Sequence, residues 1–567
     1  MVDHIHTPSQ KRILLTGVFG PFGVDDDFGR KENIMELFHN QVTREQGLAS
    51  FRFQHRSFGL YFLAENIDGD VTVLDFPSRD RFQQEVREGY DVVGISFITP
   101  NFVKARDMAS YVREVLPGAT IILGGHGAAI EGVEDLIDCD HVVRGEGIGW
   151  LRSFLGQDPS APLRHPILPS TERTAIFGVP VPGTAASLLV PGVGCVNGCA
   201  FCCTSHFFGR VYTPFLATGQ QLFETCCRIA DARGTDEFFV MDENFLKDRV
   251  RAEELLAEME RTGRYFEFQI FSSAEAITAF GADNLVRLGV TFVWIGIESS
   301  SEQGNYAKNV GIDPRRLIRQ LRERGILVLA SGILCMEHHT PENIGLDIDF
   351  MVGLEADFVQ FMLLIPLPVT ALYQDHKERG LLRDDLPFEE WHGQTELSYR
   401  HPAFPGDSPA RWIEAAFKQE YTENGSSMLR VIETSFLGTM RLRDRVGSDP
   451  CLAARLRGLE RRVQGWSPVL STIVRHAVND RERQRALRLR REIHAAVPPT
   501  LKARLLEIGA RVAAAAWKLR LAFRGDVVQP STILTRYPAG AARGGVEVLS
   551  PCRTTKNIEP RRLSQVG

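Results

Sequence analysis

Cysteine is scarce here: ten residues in 567, several of them crowded together rather than spread in pairs. That argues against a disulfide framework and for a reducing compartment, with the cytoplasm as the expected location. Long apolar runs are lacking as well. The best candidate, "VAAAAW" at 512–517, is short and flanked by Arg511 and Lys518, so no bilayer-spanning segment is expected. The N-terminal stretch "MVDHIHTPSQKRILLTG" has no basic region followed by an apolar one, which argues against secretion. Positive charge is not in excess. The formal net charge of −6 argues against non-specific nucleic-acid binding by the whole chain. No Gly-x-Gly-x-x-Gly follows the first strand, so the dinucleotide fingerprint is missing.

What is present is an ordinary globular composition, 44% apolar and 24% charged, long enough for three or four domains at roughly 150 residues each. Residues 11–155 alternate strands ("RILLTG", "VTVLDF", "DVVGISF", "TIILGG") with amphipathic helices ("DRFQQEVREGY", "KARDMASYVREVL"), which predicts parallel βαβ units. Residues 156–185 are proline-rich without periodicity and read as a linker. From 186 to 400 alternation resumes, with six strands: "SLLV", "EFFVM", "FEFQIFSS", "TFVWIGI", "ILVLASGIL" and "FVQFMLL". Six βα units predict an open, partial barrel. Residues 401–535 are helical and rich in arginine and alanine, and 536–567 read as a flexible tail. The basic helices suit either a solvated cap over the barrel mouth or contact with anionic lipid through "KARLLEIGARVAAAAWKLRLAF", including Trp517 and Phe523.

The chemistry concentrates in "GCVNGCAFCCTSHFFG", residues 194–209, directly after the first barrel strand. Cys195, Cys199 and Cys202 stand at C-x-x-x-C-x-x-C spacing, with Cys203 beside them and glycines at 192, 194 and 198. Three readings compete: buried cysteines acting as small hydrophobes, a zinc site completed by Cys203 or His206, and an iron–sulfur cluster with three protein ligands and one open iron.

With Phe201 just before the third cysteine, the motif resembles the signature of the radical S-adenosylmethionine (SAM) superfamily. The resemblance implies a [4Fe-4S] cluster on Cys195, Cys199 and Cys202, with SAM chelated at the open iron and cleaved to a 5′-deoxyadenosyl radical. It also implies SAM contacts at the strand ends: Asp242, Glu243 and Asn244 in "MDENF", Ser272 (with Ser273) after the third strand, and Glu298 and Ser299 in "GIESS". Glu337, His338 and His339 follow the fifth strand. After the sixth, Val369, Thr370 and Ala371 stand where many relatives have a glycine-centred P-G-T-P-L-Y turn. Cys203 is surplus in this scheme and is expected to point into packing.

Ahead of it, "DVVGISF", "LGGHGA" and "VVRGEG" resemble the cobalamin-binding domain of many radical SAM enzymes, which implies cobalamin near Ser96, Gly124, Gly125, His126 and Glu146. None of the fifteen histidines has aspartate two residues before it, so the D-x-H-x-x-G motif that supplies a cobalt ligand is missing. The expected fold class is therefore α/β: an N-terminal doubly wound cobalamin-binding-like domain, a partial (β/α)6 radical SAM barrel and an α-helical C-terminal region. The expected function is methylation of an unactivated carbon in a natural-product or lipid-type substrate, with an electron donor such as flavodoxin or ferredoxin, no nucleic acid, and peripheral contact at the inner membrane surface. The alternatives are radical oxidation, cyclisation or rearrangement, and a non-enzymatic cobalamin sensor.

Overall fold

A computed structural model describes residues 11–20, 37–177, 179–180, 186–301, 308–497, 499–524, 532–540 and 546–550. Among them, the apolar runs of the first 155 residues become a parallel sheet in the spatial order Asp70–Asp75, Arg12–Gly17, Val92–Ser96, Thr120–Gly124, His141–Val142. Helices Phe58–Asn66, Arg79–Val86, Phe102–Val115 and Gly147–Phe154 flank it. The strand order reverses between Arg12–Gly17 and Val92–Ser96, and such a switch point opens a crevice beyond the strands' C-terminal ends.

Two strands from the far end of the chain extend this sheet. Thr532–Tyr537 pairs antiparallel with Asp70–Asp75, and Val546–Ser550 pairs with Thr532–Tyr537. This differs from the expected helical region to 535 and flexible tail from 536. Ile533, Leu534 and Tyr537 are buried, so the β-branched run "TILTRY" closes an otherwise open sheet edge. Arg536 bonds Tyr90 Oη at 2.7 Å and reaches the buried Glu85 at 2.6 Å. Residues 541–545 and 551–567 of the expected tail lie outside the described residues.

The second sheet holds the six expected strands in chain order, all parallel: Ser187–Leu189, Glu237–Val240, Glu267–Phe271, Val290–Glu298, Leu327–Leu334 and Phe358–Leu363. The segment read as a linker contributes structure of its own. Thr171–Ile176 pairs with Arg52–His55, and Val179–Pro180 pairs with Thr171–Ile176. Phe38, Phe51 and Phe177 join Phe292, Leu329 and Phe358 in one core, so an early part of the chain fills the lower half of the partial barrel.

The C-terminal helices Ser408–Asn424, Ser427–Arg443, Pro450–Trp466, Leu470–His476, Asp480–Ala496 and Leu501–Arg524 do not cap the mouth. They pack at the opposite end, where Met428, Leu429, Leu470 and Trp517 bury Phe292, Leu327 and Phe358 near the strands' starts. Arg430 ties them down. It is fully buried, pairs with Glu420 at 2.5 Å and donates to the Asp357 carbonyl at 3.0 Å, just before the sixth strand. No helix among the described residues is long and apolar enough to cross a membrane.

Candidate functional site

The first barrel strand runs into a short hairpin, Gly192–Val193 against Thr213–Pro214, and the cysteine loop lies between its arms. Gly194 has φ 90°, and a Cβ there would sit 2.1 Å from the Val211 carbonyl, so only glycine fits. Ser205 stitches the loop: its hydroxyl donates to the Cys195 carbonyl at 2.6 Å and accepts from the Gly198 amide at 3.2 Å. The Cys202 amide donates to the Cys199 carbonyl at 3.0 Å, and Cys202 is the N-cap of helix Cys203–Phe207.

Cys195, Cys199 and Cys202 border one cavity of about 600 Å³ at the strands' C-terminal ends. Burial pushes the Cys202 thiol up to about 11 and that of Cys203 to about 12. Among the described residues, the three thiols are not gathered within 4.8 Å of one another, nor are Cys202, Cys203 and His206. A zinc ion with bonds of about 2.3 Å would draw tetrahedral sulfurs to within roughly 4 Å of one another. Three spaced thiols on one loop, facing one open cavity, fit a cluster with one unligated iron instead. Cys203, expected to turn into packing, also borders this cavity.

The other expected contacts divide. Phe201, Glu243, Asn244, Ser272, Ser273 and Glu298 border the cavity. Asn244 is held by its neighbours: its side-chain oxygen accepts from the Ser272 hydroxyl at 3.0 Å and the Ser273 amide at 3.1 Å, fixing the second strand end to the third. Burial, reinforced by Asp242, raises the Glu243 carboxyl to about 7. Glu298 adopts φ 69° at a register shift in its strand and forms an ion pair with Lys308, whose ammonium lies 5.8 Å above the Phe201 ring. A left-handed glutamate at a strand end is costly backbone kept at a site. Lys308, Trp391 and His392 also border the cavity and carried no sequence signal, since none sits in a spaced motif.

Two expected contacts do not border the cavity. Asp242 does not face the cavity; it is buried against Arg251 at 2.8 Å and accepts from Tyr212 Oη at 2.7 Å. Ser299 is fully buried, 3.0 Å from the Ser301 hydroxyl, and does not border the cavity. Glu337, His338 and His339 lie outside it too. His339 Nε2 meets Asp347 at 2.9 Å, while His338 Nε2 meets the Ser301 hydroxyl at 2.8 Å. At the turn where the family resemblance places glycine, Val369 itself takes the left-handed backbone, with φ 73°. Thr370 caps the helix that follows, accepting from the Tyr373 amide at 3.1 Å, and the Leu372 amide donates to Ala200 in the cysteine loop at 3.0 Å.

A second cavity of about 480 Å³ opens at the switch point of the N-terminal sheet, and Ser96, Gly124, Gly125, His126 and Glu146 all border it. Two glycines stand at its strand end. A Cβ at Gly124 would meet nothing within 4 Å, projecting into open space. Gly125 has φ 79°, and a Cβ there would lie 2.5 Å from the Phe97 carbonyl. Open space above a strand-end glycine at a switch point fits a large planar ligand such as a corrin. Glu146 spends its carboxylate on the helix below, accepting from the Ile148 amide at 2.5 Å and the Gly149 amide at 3.0 Å. His126 lies 4.8 Å from the Phe207 ring, and burial lowers its pKa, keeping the imidazole neutral. Ile98, His126, Thr204 and Glu243 border both cavities.

Known proteins align with both halves. Residues 47–154 match the family model of the B12 binding domain, and residues 189–351 match that of the radical SAM superfamily. An uncharacterized methyltransferase of Pyrococcus horikoshii is 22% identical, the alignment covering 56% of this chain and 77% of that protein. The bacteriochlorophyllide d C-8(2)-methyltransferase of Chlorobaculum tepidum is 25% identical over 54% of this chain and 72% of its own length. The hopanoid C-2 methylase of Rhodopseudomonas palustris is 24% identical over 42% and 49%. Among solved structures, the radical SAM methyltransferase TsrM from Kitasatospora setae, with cobalamin and a [4Fe-4S] cluster bound, superposes with a TM-score of 0.53 at 16% identity, over 80% of this chain and 100% of that one. With a crevice beside Gly124 and Gly125 in the first domain and a three-cysteine loop at the mouth of the second, the chain carries both a B12-binding domain and a radical SAM domain.

Proposed function

We propose that the protein methylates an unactivated carbon of an apolar small molecule of natural-product or lipid type. The observation that carries this reading is the shared wall: the cysteine-lined cavity and the cavity beside Gly124 and Gly125 meet at Ile98, His126, Thr204 and Glu243. When bound, the cluster and SAM supply a hydrogen-abstracting radical, and cobalamin carries a methyl group. The chain's own residues place these next to each other. Cys195, Cys199 and Cys202 would hold the cluster. Glu243, Asn244, Ser272 and Glu298 offer polar partners to SAM, with Phe201 beside them, and Ser96, Gly124, Gly125 and His126 border the corrin crevice. Phe271, Trp294, Ile333, Met362 and Ile365 give the barrel cavity an apolar wall, which excludes water and suits a hydrocarbon-rich substrate. The names of the relatives, a hopanoid methylase and bacteriochlorophyllide methyltransferases, support a substrate of this kind. Two partners complete the proposal: a one-electron donor such as flavodoxin or ferredoxin, and a membrane touched peripherally by the basic C-terminal helices.

The test is incubation of reconstituted protein with SAM and a reductant. Formation of both 5′-deoxyadenosine and S-adenosylhomocysteine is expected, with Cys195→Ala abolishing the first. 5′-Deoxyadenosine alone would replace methylation by oxidation, cyclisation or rearrangement. Neither product, from a protein that still retains cobalamin, would leave a sensor.

A further inference from the structure

Helix Leu501–Arg524 has two faces. Ala514 and Trp517 are buried in the core beneath the barrel, with the Arg52 guanidinium 5.3 Å from the Trp517 ring. Trp517 is therefore not available to a membrane, contrary to the reading from sequence. The opposite face is another matter. Leu501, Leu505, Ile508, Val512, Leu519 and Phe523 are 55–76% exposed and fall on one stripe at spacings of three, four and seven. From Leu501 to Phe523 the stripe runs about 33 Å. A contiguous apolar strip of that length on a surface marks an interaction site.

Charge decides what covers it. The helix carries six lysines and arginines and one acid, Glu507, which is held by Arg490 at 2.8 Å and lies 3.5 Å from Arg511. Arg504, Arg511 and Lys518 recur every seven residues along one border of the stripe, and Lys502 and Arg520 lie along the other. A second copy docked antiparallel would set Arg504, Arg511 and Lys518 against the same cations. An acidic electron carrier would have to dock near the thiols, which lie at the other end of the barrel. An anionic lipid surface accepts both parts, its acyl boundary taking the stripe and its headgroups the flanking cations.

We infer that this outer face of Leu501–Arg524 is the membrane-docking surface, lying in the plane of an anionic bilayer with the barrel mouth turned to water. This deepens the peripheral contact proposed above and does not depend on the chemistry of the cavities. The test is sedimentation of the full-length protein with vesicles of phosphatidylcholine, alone or mixed with phosphatidylglycerol. Binding only to the mixed vesicles, weakening as salt rises, is expected. The exposed substitutions Leu505→Ser with Leu519→Ser, and Arg504→Glu with Arg511→Glu, should each weaken binding on the order of tenfold, with helical circular dichroism and 5′-deoxyadenosine formation unchanged. Should a variant misfold, the salt dependence of the wild type carries the test. The inference falls if the wild type ignores anionic vesicles, if the charge-reversed protein binds as well as the wild type, or if light scattering shows a dimer that Leu505→Ser with Leu519→Ser splits while lipid binding is absent. Cys195→Ala should bind vesicles normally, which separates failure of this surface from failure of the cavity chemistry.

Discussion

Two carboxylates illustrate how single residues divide the work. The Glu243 carboxyl is raised to about 7, by burial first and by Asp242 second, while in the unfolded chain it titrates near 4.5. A raised carboxyl contributes its full stability below about 4.5 and loses it as pH rises through 7. Glu243→Gln should therefore raise the melting temperature of the apoprotein at pH 8 and leave it unchanged at pH 4.5, in differential scanning fluorimetry, while lowering 5′-deoxyadenosine formation. Asp347 is the opposite case. Burial pushes its carboxyl up, but hydrogen bonds from His339, Ser299 and Ser300 outweigh that and hold it at about 2. Its contribution is present above about 4 and is lost as pH falls toward 2. Asp347→Asn should cost about 2 kcal/mol at pH 7 in urea titration and nothing below pH 2. The three spaced cysteines were legible because the proposed cluster chemistry demands one residue type at fixed spacing. That Glu243 and Asn244 border the cavity while Asp242 turns away from it was not, because Asp242 is drawn to Arg251, nine residues on, by an ion pair no local spacing announces.

At the scale of elements, all six barrel strands could be read as apolar runs separated by amphipathic helices. Turns were read less well. Val369 stands in place of the turn's glycine, yet it adopts φ 73°, with Thr370 capping the next helix and Leu372 tied to the cysteine loop. The strand end Thr120–Gly124 offers a clean separation of the two cofactor sites. At Gly124 a Cβ meets nothing, so Gly124→Leu should fold normally and fill the crevice. The expected outcome is loss of the cobalamin absorbance from purified protein, with the iron–sulfur absorbance and 5′-deoxyadenosine formation kept. At Gly125 a Cβ would strike the Phe97 carbonyl, so Gly125→Ala should instead lower the melting temperature.

The whole molecule is tied together by contacts whose partners stand far apart in sequence, and these no local pattern could announce. "TILTRY" is a lone β-branched run after a long helix; its partner strand, Asp70–Asp75, lies near the other end of the chain. The placement of the C-terminal helices under the barrel likewise depends on Arg430 and Asp357 meeting, which composition does not encode. Removing the Arg536 guanidinium leaves the buried Glu85 with only Arg81 for a cation and the Tyr90 hydroxyl for a neutral donor. Arg536→Ala should destabilise the N-terminal domain by about 2–4 kcal/mol, seen as earlier proteolytic cleavage within residues 47–154 and not within the barrel. That closing strand has a consequence in time. During synthesis the edge of Asp70–Asp75 emerges long before Tyr537, and at roughly 5–20 residues per second the ribosome needs on the order of half a minute or more to deliver its cover. Throughout that interval the nascent domain presents an unpaired strand to its surroundings, so a chaperone that shields it, or a slow codon that prolongs the wait, would set the yield of soluble protein.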